Sequence, residues 1–209
     1  MIVLIPGIRG DPSEFARLLP ILPEARAVAI PDDAGDRLST VAARLLAELP
    51  DEPIDVVGAS FGGLVGWAMP AARVRTLTTI GTVPWRTPRA ARCAWAARAL
   101  RVLPDRVYAE VYGPRARAAM REDGADERLM EEVRVPPRRA LADRLAAIAA
   151  WGLPPRPPAP GRWLWGATDR FVTWDEGDVR ARGMEPMALP GGHRPHLSHP
   201  SEVARWLPA

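Results

Sequence analysis

The sequence of 209 residues contains no lysine, asparagine or glutamine, so its 28 basic residues other than histidine are all arginine. These absences exclude a lysine Schiff base, a P-loop lysine and a Cys-His-Asn triad. A single cysteine, Cys93, excludes an intrachain disulfide and a multi-cysteine zinc site. We therefore expect no metal or cofactor, and chemistry that is carried by the remaining side chains.

Long apolar runs are also missing, and none approaches the length of a membrane span. Met1 to Ile5 leads directly into Pro6-Gly7, without the basic segment that begins a signal peptide. A net charge of +3 with no recognised nucleic-acid motif gives no reason to expect nucleic-acid binding. With 47% hydrophobic and 25% charged residues, we expect a cytoplasmic protein with one main core and no membrane contact.

Strand-like and helix-like segments alternate over the first 80 residues, which predicts a doubly wound, mostly parallel α/β sheet. The helices expected between these strands are Phe15 to Leu22, with Ser13 as its cap, and Ser39 to Leu49, capped by Ser39 or Thr40. The predicted strands are Met1 to Ile5, Ala25 to Ile30, Ile54 to Val57, Thr76 to Ile80, Arg162 to Trp165 and Met184 to Leu189.

Residues 83–161 differ in character, because they are rich in alanine and arginine at helical spacing and contain no convincing strand. We expect a helical insertion at residues 85–160, with residues 1–84 and 161–209 forming the α/β core. The predicted helices of this insertion are Ala90 to Leu103, Arg106 to Tyr112, Arg115 to Arg121, Glu127 to Val133 and Arg138 to Trp151.

The sequence Gly58-Ala59-Ser60-Phe61-Gly62 stands between a β-branched run and an apolar helical pattern. A buried strand that turns at once into a helix strains its apex and needs small residues on either side, which Gly58 and Gly62 provide. The serine hydroxyl would then stand above the sheet, and the N–H of Phe61 could donate to a developing oxyanion. A serine that merely caps a helix is the simpler alternative.

A serine nucleophile needs a base and an acid that orients the base, and candidates for both follow Ser60 in the sequence. Asp169 comes directly after one predicted strand and His193 after the next, preceded by two glycines. The competing histidines, His196 and His199, are expected to serve packing or capping. The competing acids are residues typical of turns or helix caps: Asp32, Asp33 and Asp175.

Four segments in this order resemble the α/β-hydrolase superfamily, in particular small carboxylesterases and esterases that cleave pimeloyl carrier-protein methyl esters. They are Pro6-Gly7-Ile8, Gly58-Ala59-Ser60-Phe61-Gly62, Gly166-Ala167-Thr168-Asp169 and the segment from Gly192 to Ser198. The resemblance implies that Ile8 and Phe61 supply the oxyanion-hole N–H groups and that the helical insertion is a cap. The chain departs from the family pattern in beginning at the usual third strand, which leaves an N-terminally shortened sheet, and in having proline before Gly7.

The predicted insertion carries 15 arginines against nine acidic residues, so the rest of the chain is acidic overall. A solvated helical face explains this charge, and an acidic acyl carrier protein that delivers a substrate is the functional alternative. Five aromatic side chains of the insertion could line an acyl pocket, although aromatics at helical spacing are often core residues: Trp85, Trp95, Tyr108, Tyr112 and Trp151.

Two functions therefore follow from the sequence. The first is a serine hydrolase of small carboxylic esters, with the same machinery available to thioesters, in which Ser60 attacks, His193 transfers the proton and Asp169 orients His193. The second is a non-catalytic protein of the same fold that binds a ligand or partner, since fold does not fix function.

Overall fold

The structure, a computed structural model, describes residues 1–82, 90–132, 134–152, 156–172 and 175–208. Within these residues one sheet of six parallel strands forms in the order β2-β1-β3-β4-β5-β6. The strands are β1 (Ile2–Ile5), β2 (Ala25–Ala27), β3 (Ile54–Ala59), β4 (Val74–Ile80), β5 (Gly161–Gly166) and β6 (Met184–Leu189). The predicted parallel α/β sheet is confirmed, with β2 shorter than the sequence pattern suggested.

Helices cover both faces of the sheet, as a doubly wound arrangement requires. They are α1 (Leu38–Leu46), α2 (Phe61–Trp67), α3 (Ala90–Val102), α4 (Asp105–Glu122), α5 (Glu127–Glu132), α6 (Arg138–Ala150), α7 (Glu176–Ala181), α8 (Pro195–Ser198) and α9 (Pro200–Ala204). Helices α3 to α6 follow one another between β4 and β5, and we refer to residues 90–152 as the helical insertion.

The core divides according to the two-residue period of the strands. Along β1, Val3 and Ile5 face one side with α1, α2 and α7, while Ile2 and Leu4 face the other side with Phe15 and Val203. The strand ends therefore present one common edge, where the loops after β1, β3, β4, β5 and β6 meet.

Three local predictions were wrong. In place of a helix from Phe15 to Leu22 there are two 3-10 turns, Pro12–Phe15 and Leu19–Ile21, because Pro20 lacks the N–H that an α-helix needs at that position. The first turn is capped by Asp11, not by Ser13.

Helix α1 begins after Arg37 without a side-chain cap, so neither Ser39 nor Thr40 serves that purpose. The two helices expected on either side of Gly113-Pro114 are one continuous helix, α4, with Pro114 inside it.

The helical insertion is fastened to the core through α6. Ala147 belongs to the main hydrophobic cluster, and Ile148 and Trp151 pack against it. Arg144 of α6, which is 2% exposed, donates to the carbonyl oxygens of Arg9 and Ile30 at 2.8 and 2.9 Å. The insertion is thereby tied to the loop that follows β1, at the edge where the strand ends meet.

Candidate active site

Ser60 is placed by the turn between β3 and α2, as the sequence predicts. Its backbone has φ 49° and ψ −109°, and it is the only residue other than glycine with positive φ among those the structure describes. A Cβ on Gly62 would lie 2.1 Å from the carbonyl oxygen of Ile5, and one on Gly58 would lie 2.4 Å from the nitrogen of Gly63. The turn is therefore compatible only with glycine at these two positions.

His193 reaches Ser60 from the loop after β6. Its Nε2 lies 3.2 Å from Ser60 Oγ, and its Nδ1 lies 2.8 Å from Asp169 Oδ2. The ring of Phe171 packs against the imidazole with 5.2 Å between the ring centroids. The structure therefore brings together all three residues that the sequence singled out, although they are separated by more than a hundred positions of the chain.

The carboxylate of Asp169 is fully buried below His193 and satisfied on both oxygens. Oδ1 accepts from the N–H groups of Phe171 and Val172 at 2.7 and 3.1 Å, and Oδ2 faces His193. Burial alone would raise the pKa of Asp169, but the hydrogen bond and charge of His193 and these two backbone donors outweigh it and hold the pKa below its usual value. Asp169 is therefore ionised at neutral pH.

The competing acids have other roles in the structure. Asp32 accepts from Arg144 of α6, Asp33 is exposed and pairs with Arg44, and Asp175 caps α7 by accepting from the N–H of Asp178.

The competing histidines also have other neighbours. His196 is buried, with its ring 5.2 Å from that of Phe15 and its Nε2 3.3 Å from Glu14. His199 Nδ1 lies 2.9 Å from Ser198 Oγ, a contact between sequence neighbours.

Glu14 supports the loop that carries Gly7 and Ile8, and the sequence gave no sign of it. This side chain is 2% exposed, and its Oε2 accepts from the N–H of Gly7 at 2.8 Å. Its Oε1 lies 3.4 Å from Arg194 Nε and 3.3 Å from His196 Nε2. Glu14 therefore links the loop after β1 to the loop that carries His193.

The pKa of Glu14 reflects these contacts. Burial would raise it, but the contact with His196 and the positive charges of Arg194 and Arg9 outweigh burial and place the pKa well below its usual value. Glu14 is thus a buried carboxylate that stays ionised because cations surround it.

A cavity of about 440 Å³ opens beside Ser60 and His193. Its walls are largely apolar, with Phe61, Leu64, Ile148 and Val172 among the lining residues. Ile8 and Phe61, the predicted sources of the oxyanion-hole N–H groups, both line this cavity together with Ser60. Such a volume suits a small organic ligand.

Only part of the predicted aromatic lining is found. Tyr112 and Trp151 line the cavity. Tyr108 is buried behind Tyr112, stacks on it at 5.2 Å and donates to the carbonyl oxygen of Pro136. Trp95 is 72% exposed and is not part of the wall, so its prediction is corrected. Trp85 lies outside the described residues.

A sequence profile of the alpha/beta hydrolase family matches residues 2–206. The chain belongs to the alpha/beta hydrolase family. This membership confirms the resemblance seen in the four sequence segments, and it supports hydrolytic activity in general without specifying a substrate. A comparison with curated proteins gave no match.

Solved structures with similar folds cover 98% of this alpha/beta hydrolase. The enol-lactonase from Burkholderia xenovorans LB400 has a TM-score of 0.79 at 19% identity over 88% of its own chain. A hydrolase from Pseudomonas aeruginosa PA01 has a TM-score of 0.78 at 19% identity over 86% of its chain. A thermophilic esterase from Thermogutta terrifontis, solved with malate bound, has a TM-score of 0.72 at 18% identity over 86% of its chain. At these identities the similarity shows a shared fold.

Arginines contribute to the site of this alpha/beta hydrolase in a way that sequence reasoning missed. Arg9, Arg115 and Arg194 all line the cavity. The abundance of arginine throughout the chain gave no signal that separates these three from the others. Only the fold brings the loop after β1, helix α4 and the loop after β6 to one wall.

Two further searches concern metals and membranes. Within the described ranges, no group of three or more His, Cys, Asp or Glu side chains is arranged to hold a metal ion. Among the helices of those same residues, none combines the length and the apolar character needed to cross a membrane.

Proposed function

We propose that this chain is a serine hydrolase that cleaves carboxylic esters through an acyl-enzyme on Ser60. The observation that carries the proposal is the continuous series of contacts from Asp169 through His193 to Ser60 at the wall of the cavity. A lactone or a thioester would react by the same steps, since each presents an acyl carbon bonded to a leaving oxygen or sulfur.

In the proposed reaction, Ser60 Oγ attacks the acyl carbon while His193 Nε2 accepts the hydroxyl proton. Asp169 accepts from the Nδ1–H of His193 and so leaves Nε2 available as the base. The N–H groups of Ile8 and Phe61 donate to the oxygen that becomes negative. His193 then protonates the leaving alkoxide, and a water molecule attacks the acyl-enzyme by the same route to release the acid.

The helical insertion is proposed to act as the cap of this site. Support comes from Tyr112, Ala116 and Ala119 of α4 and Ile148 of α6, which line the cavity across from the sheet edge. An apolar roof that excludes water would strengthen the electrostatic interactions around Ser60.

An acidic carrier protein as the partner of the insertion remains a prediction, and so does a cytoplasmic location. Several arginines of the insertion are engaged within the chain, which lowers the charge that a partner could use. Arg101 pairs with Asp36 and Asp143, and Arg138 pairs with Asp105.

Labelling with a serine-directed fluorophosphonate tests the proposal. The probe should modify Ser60, as located by mass spectrometry of the peptides, because it reacts with serines that a neighbouring base activates. Ser60→Ala should abolish labelling. Ser198→Ala is a matched control, since Ser198 Oγ also contacts a histidine, at 2.9 Å, but no acid is recorded beside that pair.

Each result has a defined meaning. Labelling that is lost in Ser60→Ala and kept in Ser198→Ala supports the hydrolase. Absence of labelling in a protein shown to be folded contradicts it and favours the non-catalytic binding protein.

A further inference from the structure

Arg9 is a buried arginine in the wall of the proposed active site. It follows Ile8 directly, is 4% exposed and lines the cavity that also contains Ser60 and His193. The loop that carries it is held in place from both sides, because Glu14 accepts from the N–H of Gly7 and Arg144 donates to the carbonyl oxygen of Arg9. The position of Arg9 beside the cavity is therefore fixed by the structure.

The guanidinium of Arg9 lacks the partners that a buried cation normally has. Nη1 donates to the sulfur of Met120, which is a weak acceptor, and Nη2 has no hydrogen-bond partner in the described structure. No carboxylate among the described residues lies within 4 Å of it. A buried charge without such partners costs stability, so an external partner would be favourable here.

Nearby carboxylates are already engaged elsewhere. Glu14 uses its oxygens for the N–H of Gly7 and for the contacts with Arg194 and His196. Asp11 accepts from the N–H groups of Ser13 and Arg134. Neither acid of this loop therefore neutralises Arg9 directly.

We propose that Arg9 binds a carboxylate on the acyl part of the substrate, so that the preferred substrates are small esters or lactones of dicarboxylic acids. This inference rests on the proposed ester hydrolase. The planar guanidinium matches a carboxylate through two parallel hydrogen bonds. Arg115, an exposed residue of α4 in the same wall, adds positive charge that attracts an anion to the cavity.

A single negative charge fits this subsite better than a phosphate dianion. Glu14 also lines the cavity and remains ionised, so it would repel a second negative charge. The apolar side chains of Leu64, Ile148 and Trp151 favour a hydrocarbon segment between the carboxylate and the acyl carbon.

The test compares two esters that differ in one end group, 4-nitrophenyl hydrogen adipate and 4-nitrophenyl hexanoate, with the rate without enzyme subtracted. The measured quantity is the ratio of their kcat/KM values. For the unchanged protein we expect a ratio of roughly 10 to 100 in favour of the adipate ester, the range that one hydrogen bond to a charged group provides. Arg9→Met should bring the ratio to about 1.

Arg26→Met is the matched control. Arg26 is exposed on the edge strand β2, so this change removes the same charge away from the cavity, and the ratio should stay as in the unchanged protein. Arg9→Lys keeps the charge but not the planar fork, and it should lower the ratio severalfold. This second variant decides the question if circular dichroism shows that Arg9→Met is not folded.

The outcomes separate the two proposals. A ratio near 1 in the unchanged protein, or a high ratio that survives Arg9→Met or Arg9→Lys, overturns the carboxylate subsite and leaves the esterase standing. If neither ester is cleaved and Ser60 is not labelled, the esterase fails. Binding of monomethyl adipate to Ser60→Ala, measured by calorimetry, then tests the subsite alone: loss of binding on adding Arg9→Met supports it, and absence of binding before that change overturns it.

Discussion

At the scale of single residues, environment decides which of several similar side chains takes part in the site. Asp169 is buried with both oxygens satisfied and one of them facing His193, whereas Asp175 accepts from the first turn of α7. His193 lies between an acid and a serine, whereas His196 lies against Phe15 and Glu14. The same residue type therefore serves orientation, capping or packing according to its neighbours.

Replacement of Asp169 by asparagine should reduce the turnover number for 4-nitrophenyl hexanoate by about 1,000- to 10,000-fold, as expected when the histidine of a serine triad loses its acid. An amide would donate toward Nδ1 and favour the tautomer that leaves no free Nε2. Asp175→Asn, which removes a charge from the cap of α7, should change turnover less than threefold. A loss of less than tenfold in Asp169→Asn would contradict the assigned role.

At the scale of elements, α6 determines how the helical insertion meets the core. Arg144 extends from this helix and donates to the carbonyl oxygens of Ile8, Arg9 and Ile30. Carbonyls that point away from regular strands need such donors, because an unpaired buried acceptor is costly. One side chain thus satisfies the loop after β1 and fixes the position of α6.

Replacement of Arg144 by methionine should lower the free energy of unfolding by roughly 3 to 5 kcal/mol, the cost of breaking a buried charged network. Urea unfolding followed by circular dichroism measures this change. Arg139→Met, one helical turn away on the exposed side of α6, should cost less than about 0.5 kcal/mol. Equal midpoints for the two variants would show that Arg144 does not hold the insertion.

At the scale of the whole molecule, Glu14 connects the two ends of the chain around the site. Its oxygens contact Gly7 near the start of the sequence and Arg194 and His196 near its end. Arg194 in turn donates to Asp123 at the end of α4, so the cluster also reaches the helical insertion. The assembly of core and insertion therefore depends on one buried group of charges.

The depressed pKa of Glu14 predicts how stability depends on pH. Ionised Glu14 stabilises the folded state above its unfolded pKa, roughly 4.3, and this contribution is lost as the pH falls through the lower pKa of the folded state. The difference in free energy of unfolding between the unchanged protein and Glu14→Gln should therefore be largest near pH 7 and shrink below about pH 4.

Urea unfolding at several pH values measures this difference. Glu202→Gln is the control, because Glu202 is paired only at the surface with Arg205 and should show little change at any pH. A Glu14 difference that stays constant down to pH 3 would contradict the assignment.

The sequence by itself determined the parallel sheet, the turn at Ser60 and the order in which Ser60, Asp169 and His193 follow their strands. These features are local, since strand period, glycine at a strained turn and strand ends are all written in short segments. Only the tertiary structure decided the rest. The carboxylate that supports Gly7, the unsatisfied guanidinium of Arg9 and the solvent-facing position of Trp95 depend on which distant segments pack together, and among so many arginines and aromatics no local pattern distinguishes a buried partner from an exposed one.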